Sequence, residues 1–292
     1  MADIKLTAGL SQDGRQLKSI IRREMKISAG LLTKLKKNGS IRVNGIPVLV
    51  TETIKEGDTI CISLPEAKSE TIEAVDIPLD IVYEDDYLLV INKPKDMPTH
   101  PSAGNRNNTV GNACMYYFRD TDFVFRPINR LDRDTTGLVV IAKDARTASL
   151  MSDIMQKGHF RKTYLAITDG IPSPESGIID APIGRSDESI IKREVRDDGQ
   201  NAITEYRITD TKEKLALVEI TLHTGRTHQI RVHFAHIGTP LLYDYLYGNE
   251  IPGETLYLHC REIIFEHPVN GNELRLLANY TFPFFDSKSP NI

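Results

Sequence analysis

The chain has 292 residues, 40% hydrophobic and 26% charged, with a formal net charge of -4 and a sequence pI of about 6.1. That composition excludes a disordered chain and leaves room for a small domain beside one of about 200 residues. No run approaches the roughly 20 apolar residues that span a bilayer, and the first thirty residues lack the apolar core of a signal peptide, so a cytoplasmic protein is expected.

Cys61, Cys114 and Cys260 lie far apart, which argues against a disulfide framework or a cysteine zinc site. The acidic balance taken alone speaks against a nucleic-acid binder, but its distribution speaks for one. Residues 1–64 carry 11 Lys or Arg against 6 Asp or Glu, a net of +5, and the remainder carries -9. Between Arg15 and Arg42 the only acid is Glu24. Leu17, Ile20 and Ile21 fall at helical spacing, as do Leu31, Leu32 and Leu35, so the pattern predicts two short amphipathic helices with basic outer faces, the second capped by Ser28. Residues 40–45 alternate as a strand ending in an Asn-Gly turn, and a second strand follows at 59–64. Arg22, Arg23, Lys36 and Lys37 would then present cations to a phosphate backbone; a merely solvated face is the plain alternative.

Residues 66–78 have few large apolar side chains and read as a linker between domains at 1–65 and 79–292. A hairpin is predicted at 81–91, stopped by Asn92-Lys93-Pro94. Residues 138–142 form an apolar run that reads as a buried strand. Asp144 can cap a following helix that ends near Gln156 before Gly158. Further strands are expected at 163–168, 202–208 and 215–222, which makes the larger domain α+β with a mixed, largely antiparallel sheet.

Two polar stretches could do chemistry. The loop Asn129-Arg130-Leu131-Asp132-Arg133-Asp134 precedes the buried strand and sets Asp132 between two cations; in isolation it is more often a turn aspartate. The second stretch runs from His223 to His233 into a helix, where Arg226, His228, Gln229 and Arg231 would gather donors for a phosphate or a carboxylate. A zinc site on His223, His228, His233 and His236 is disfavoured, because steps of five put most of them on different helix faces.

Three blocks in order resemble the RluA-like pseudouridine synthases: Asn92-Lys93-Pro94 with His100-Pro101, then Asn129-Arg130-Leu131-Asp132 with Thr135-Thr136-Gly137, then residues 223–233 followed by Gly238-Thr239-Pro240-Leu241. Lys162-Thr163-Tyr164 adds a fourth. Roughly residues 15–64 resemble the ribosomal-protein-type alpha-L RNA-binding module of RluD-type members. The resemblance implies a pseudouridine synthase-type catalytic domain with Asp132 as nucleophile, Tyr164 as the active-site tyrosine and Arg231 as the arginine pairing the aspartate. It also implies that Arg130 fills the gap left by a flipped uridine, with Arg133, Asn92, Lys93, Arg226, His228 and Gln229 along the RNA. Asn129 stands where many members have histidine.

A uridine-to-pseudouridine isomerase needs a carboxylate near the anomeric carbon, a dry pocket for the detached base and a group that helps carbon 5 lose its proton. Tyr164 is expected to stack on uracil and to accept that proton. No cofactor and no metal are implied; the partner is RNA, ribosomal RNA before transfer RNA, with no membrane, and the chain is expected to be a monomer. The rivals are a catalytically silent RNA-binding or ribosome-assembly factor and a glycosidase, for which Asp134 would be the second carboxylate.

Overall fold

A computed structural model describes residues 3–27, 29–37, 39–63, 72–102 and 104–285. The N-terminal part consists of β1 (Asp3–Thr7), α1 (Leu17–Arg23), α2 (Ala29–Lys37), β2 (Ile41–Val43), β3 (Ile46–Pro47) and β4 (Thr59–Ser63). The strands form an antiparallel sheet in the order β1-β4-β2-β3. Leu17, Ile20 and Ile21 of α1 and Leu31, Leu32 and Leu35 of α2 are buried against Ile60 and Ile62 of β4, as the spacing predicts. Asn44 and Gly45 take φ of 52° and 80°, the left-handed pair that a two-residue hairpin loop requires. Ser28, Leu64, the side chain of Lys37 and much of the expected linker lie outside the described residues.

The larger part runs β5 (Ile81–Glu84), β6 (Leu88–Lys93), α3 (Val110–Tyr117), β7 (Thr136–Ala142), α4 (Ala145–Gln156), β8 (Phe160–Asp169), β9 (Ser176–Asp180), β10 (Ile183–Arg185), β11 (Arg193–Val195), β12 (Ile203–Lys212), β13 (Leu215–Leu222), α5 (Gln229–His236), β14 (Leu258–Glu266) and β15 (Glu273–Leu277). Among the described residues the main sheet has nine strands in the order β5-β6-β7-β14-β8-β13-β12-β9, with β15 on β14; β10 and β11 pair separately. Within it β7 and β14 run parallel and the other pairs antiparallel. The fold is thus α+β with a mixed, largely antiparallel sheet. All seven residues of β7 are buried, and Asp144 caps α4 by accepting the Thr147 N–H at 2.8 Å. No helix of the described residues is long and apolar enough to cross a membrane.

The central strand β14 was not legible, because its register shifts between Cys260 and Glu262 and the extra residue interrupts the period of two. β1 escaped as well: its five residues gain their hydrogen bonds from β4, some sixty positions away.

Gly137 sits where β7 meets β14, at φ +106°, and a Cβ there would lie 2.3 Å from the Cys260 carbonyl oxygen. Neither the backbone angle nor the space admits a side chain. Gly137→Ala should cost on the order of 3 kcal/mol, seen as a lower midpoint in urea unfolding with the slope retained; an unchanged midpoint would show that the two strands can part freely.

Candidate active site

Asp132 lies on the loop that leads into β7, and three clamps fix that loop. Asn129, buried, donates from Nδ2 to the Leu138 carbonyl at 3.0 Å and accepts the Val140 N–H at Oδ1 at 2.9 Å, so its amide acts as an added rung on the edge of β7. Thr99 Oγ1 donates to the Leu131 carbonyl at 2.9 Å and accepts the Leu131 N–H at 3.1 Å. The fully buried Lys93 ammonium donates to the carbonyls of Pro94 and Met97 at 2.8 Å and of Arg133 at 3.0 Å. Burial pushes the Lys93 amine down to about 7 against the pull of Asp134, Asp132 and Asp96; the three carbonyls use all three protons of its charged form. Lys93 was expected on the RNA, and this is a correction: it is sealed inside and holds the loop.

Arg231, on α5, faces the loop, but its main partner is one the sequence did not reveal. Nε and Nη2 donate to the two carboxylate oxygens of Asp244, each at 2.7 Å, with both residues buried. Asp244 also accepts the backbone N–H groups of Leu246 and Tyr247. The guanidinium carbon lies 5.4 Å from the Tyr245 ring centre and 5.1 Å from that of Tyr247. Burial works against the charge of Arg231, but the Asp244 hydrogen bonds and the charges of Asp244 and Asp132 more than offset it and raise its pKa. What remains for Asp132 is Nη1, 3.8 Å from Oδ2. The expected Arg231–Asp132 pairing is therefore a facing of charges at a distance, while the tight pair is Arg231–Asp244.

His228 adds a third group, its Nε2 3.9 Å from Asp132 Oδ2. Its backbone is left-handed, φ 59°, an uncommon setting for a non-glycine residue. Tyr247 OH lies 2.8 Å from His228 Nδ1 and accepts the Arg193 N–H at 2.8 Å. Burial, assisted by the positive charges of Arg231 and Arg193, lowers the His228 pKa, against Asp132 and Asp244.

These groups line a cleft of about 380 Å3 with Arg130, Tyr164, Arg226 and the apolar Leu222, Ile230 and Leu258. Tyr164 stands on β8 beside Cys260 of β14. Burial, with Cys260 and then Asp132 contributing, holds its phenol well above the usual tyrosine range. Arg130 is exposed. Arg226 is exposed as well, and its Nε donates to the Asn201 carbonyl at 2.9 Å.

Other expected RNA contacts are committed elsewhere. Gln229 is buried with all four of its amide hydrogen bonds made: Oε1 accepts from Thr224 Oγ1 and the Arg226 N–H, and Nε2 donates to the Ile203 carbonyl and Thr204 Oγ1. Asn92 donates to Asp80 at 2.9 Å. Arg133 pairs with the buried Asp134 through two hydrogen bonds at 3.0 and 3.1 Å, so Asp134 is spent and does not line the cleft. His223 pairs with Glu205, and buried His233 bonds Thr204 and the Ala181 carbonyl. Among the described residues no group of three or more His, Cys, Asp or Glu is placed to hold a metal ion.

A strand-held aspartate loop thus faces a helix-borne arginine at 3.8 Å, and comparison with known proteins gives the class. The family model described as RNA pseudouridylate synthase matches residues 87–236, a span that includes Asp132, Tyr164 and Arg231. The chain belongs to that family and is an RNA pseudouridine synthase. It is 38% identical to the uncharacterized RNA pseudouridine synthase YjbO of Bacillus subtilis, over 87% of this chain and 92% of that one. It is 38% identical to the ribosomal large subunit pseudouridine synthase D of Vibrio cholerae, over 82% of this chain and 79% of that one. Among solved structures, Human RNA Pseudouridylate Synthase Domain Containing 4 superposes with a TM-score of 0.56 at 26% identity, covering 69% of this chain and 88% of that one.

Removing Asp244 leaves the Arg231 cation buried without its partner. Asp244→Ala should therefore lose about 3–5 kcal/mol of stability, while Asp244→Asn, which keeps the shape and one acceptor, should lose less. Calorimetry checks both, and equal stability of Asp244→Ala and wild type would remove the pair from its structural role.

Proposed function

We propose that the enzyme isomerises uridines in large-subunit ribosomal RNA, with Asp132 as the group that acts on the ribose. The observation that carries this reading is the Asp132 carboxylate itself. It is half-exposed at the cleft, with cationic Arg231 at 3.8 Å, the His228 ring at 3.9 Å and no closer side-chain partner among the described residues. A carboxylate in a tight bidentate pair has its lone pairs occupied; Asp132 has Coulombic support and an open oxygen.

The reaction breaks the bond between the ribose anomeric carbon and uracil nitrogen 1, turns the base, and joins carbon 5 to the ribose; carbon 5 loses a proton and nitrogen 1 gains one, so nothing is consumed or released. Asp132 serves either by adding to the anomeric carbon or by taking a sugar proton to give a glycal; the same oxygen does both. Leu222, Ile230 and Leu258 supply the dry wall that keeps the detached base in place. The neutral, buried Tyr164 belongs to that wall. Burial holds its phenol well above the usual range, and its ring packs against uracil.

The uridine leaves its stack at a cost of a few kcal/mol. Arg130, exposed at the cleft and without a carboxylate partner among the described residues, occupies the vacated place. Large-subunit ribosomal RNA is favoured by the relatives named as acting there; transfer RNA is the other outcome of the mapping below. The N-terminal basic face supplies sequence-tolerant grip through exposed Arg23 and Lys36. Arg22 is withdrawn from that role: its Nη1 donates to the Ile27 carbonyl at 2.6 Å and lies 3.9 Å from Asp153 of α4.

Carbodiimide mapping of pseudouridines in RNA from a deletion strain, complemented with wild type or with Asp132→Asn, tests the assignment. Loss of a ribosomal RNA site that wild type alone restores is expected; restoration by Asp132→Asn would end the role given to Asp132. Arg23→Ala with Lys36→Ala should weaken RNA binding and reduce the salt slope by about 1–2, read by filter binding across a salt series. An unchanged slope would return that face to plain solvation.

A further inference from the structure

A second concavity opens beside the catalytic cleft, between the β10–β11 hairpin and the turn that leads into α5. It has about 830 Å3 of space and is lined by Ile183, Gly184, Arg185, Arg193, Gln200, Arg226 and their neighbours. Arg226 lines both this groove and the catalytic cleft, so one continuous surface runs past the side chain.

Three arginines line this space, Arg193 with its Nη1 also donating to the carbonyls of Ile191 and Lys192. Among the described residues none of Arg185, Arg193 and Arg226 has a carboxylate within ion-pair distance. Three acids of the hairpin turn to Arg196 instead. It reaches Asp187 at 2.8 Å, Glu194 at 3.5 Å and Asp198 at 2.8 Å, and a further bond from its Nη1 goes to the Arg185 carbonyl at 3.0 Å. Asp198, which also lines the groove, is thus held toward Arg196 rather than toward the other three arginines. Three guanidinium groups without a direct carboxylate partner, gathered in one groove next to the catalytic cleft, offer a place for an anion.

The groove is also built to hold its shape. A Cβ on Gly199 would lie 2.6 Å from the Ile183 carbonyl carbon, and one on Gly184 2.8 Å from Arg196 Cδ, so backbone and arginine stem are packed together on the hairpin side. Arg226 is steadied by its bond to the Asn201 carbonyl. The Arg193 N–H bonds Tyr247 OH, which in turn meets His228; the groove wall is therefore tied by hydrogen bonds to a residue 3.9 Å from Asp132.

We propose that this groove is a subsite for a backbone phosphodiester of the substrate RNA, held by Arg185, Arg193 and Arg226, that sets the register of the strand whose uridine enters the cleft. The inference rests on the pseudouridine synthase reading. Guanidinium forks match the paired oxygens of a phosphodiester, and contacts of this kind position a nucleic acid without reading its bases.

The test uses the full-length protein and a large-subunit ribosomal RNA transcript that the wild type is first shown, by carbodiimide mapping, to modify. If the wild type converts no uridine there, the substrate reading fails, separately from the groove. Given conversion, Arg185→Ala with Arg193→Ala should raise the Kd about tenfold and lower the salt slope by about 1–2, the loss of two phosphate contacts. Arg185→Lys with Arg193→Lys keeps both charges and should recover the slope, which excludes misfolding as the cause. A Kd and slope equal to wild type in the alanine variant would overturn the proposal. A thermal shift by inorganic phosphate that the alanine variant loses, with RNA affinity unchanged, would overturn it too by assigning the groove to a free phosphate.

Discussion

Arg231 and Asp244 are both withdrawn from solvent and joined by two hydrogen bonds of 2.7 Å, and the geometry of the cleft follows from that pair. A buried ion pair is expensive to assemble, and removing one member costs more still, because the remaining charge stays in a low-dielectric setting. The return here is positional. Asp244 fixes Arg231 through Nε and Nη2, leaving Nη1 to face Asp132, and also fixes the backbone of Leu246 and Tyr247. Tyr247 then meets His228. One carboxylate therefore places the arginine and, through the tyrosine, the histidine on the far side of Asp132.

On the near side the same economy of means is visible in the loop. Asn129, Thr99 and Lys93 each satisfy backbone groups that a loop would otherwise leave to water. None of the three needs to touch the substrate. Their effect is to leave the Asp132 side chain as the unfastened group in a fastened segment, the preorganisation that the proposed role on the ribose calls for. Asn129 makes this plain: its amide donates and accepts along β7 as a strand residue would.

Charge is distributed with the same purpose. The body of the protein is acidic, and its polyanionic substrate must be met by local cationic surfaces. Arg130 and Arg226 stand at the cleft, the hairpin groove continues from Arg226, and the N-terminal helices add Arg23 and Lys36. Two acids near these surfaces turn inward to arginines, Asp134 to Arg133 and Asp198 to Arg196.

The sequence by itself determined the elements whose signals are local. The two N-terminal helices, the Asn-Gly hairpin, the buried β7, the Asp144-capped helix and β13 follow from periodicity, capping and turn chemistry that a few adjacent residues carry. Resemblance of short motifs marked Asp132, Tyr164 and Arg231, and the cleft brings all three together. What only the tertiary structure decided is pairing across distance. A motif shows that Lys93 and Gln229 matter without showing that they are sealed inside, because burial depends on which strands pack over them. Asp244 lies thirteen residues beyond Arg231, outside any helical repeat that would announce the pair. β14 carries a bulge that hides its alternation, and its place at the sheet's centre depends on a close approach that only Gly137 admits. Local propensity specifies segments; free energy gained between segments, through buried charge and strand pairing, selects the partners, and those partners made the site.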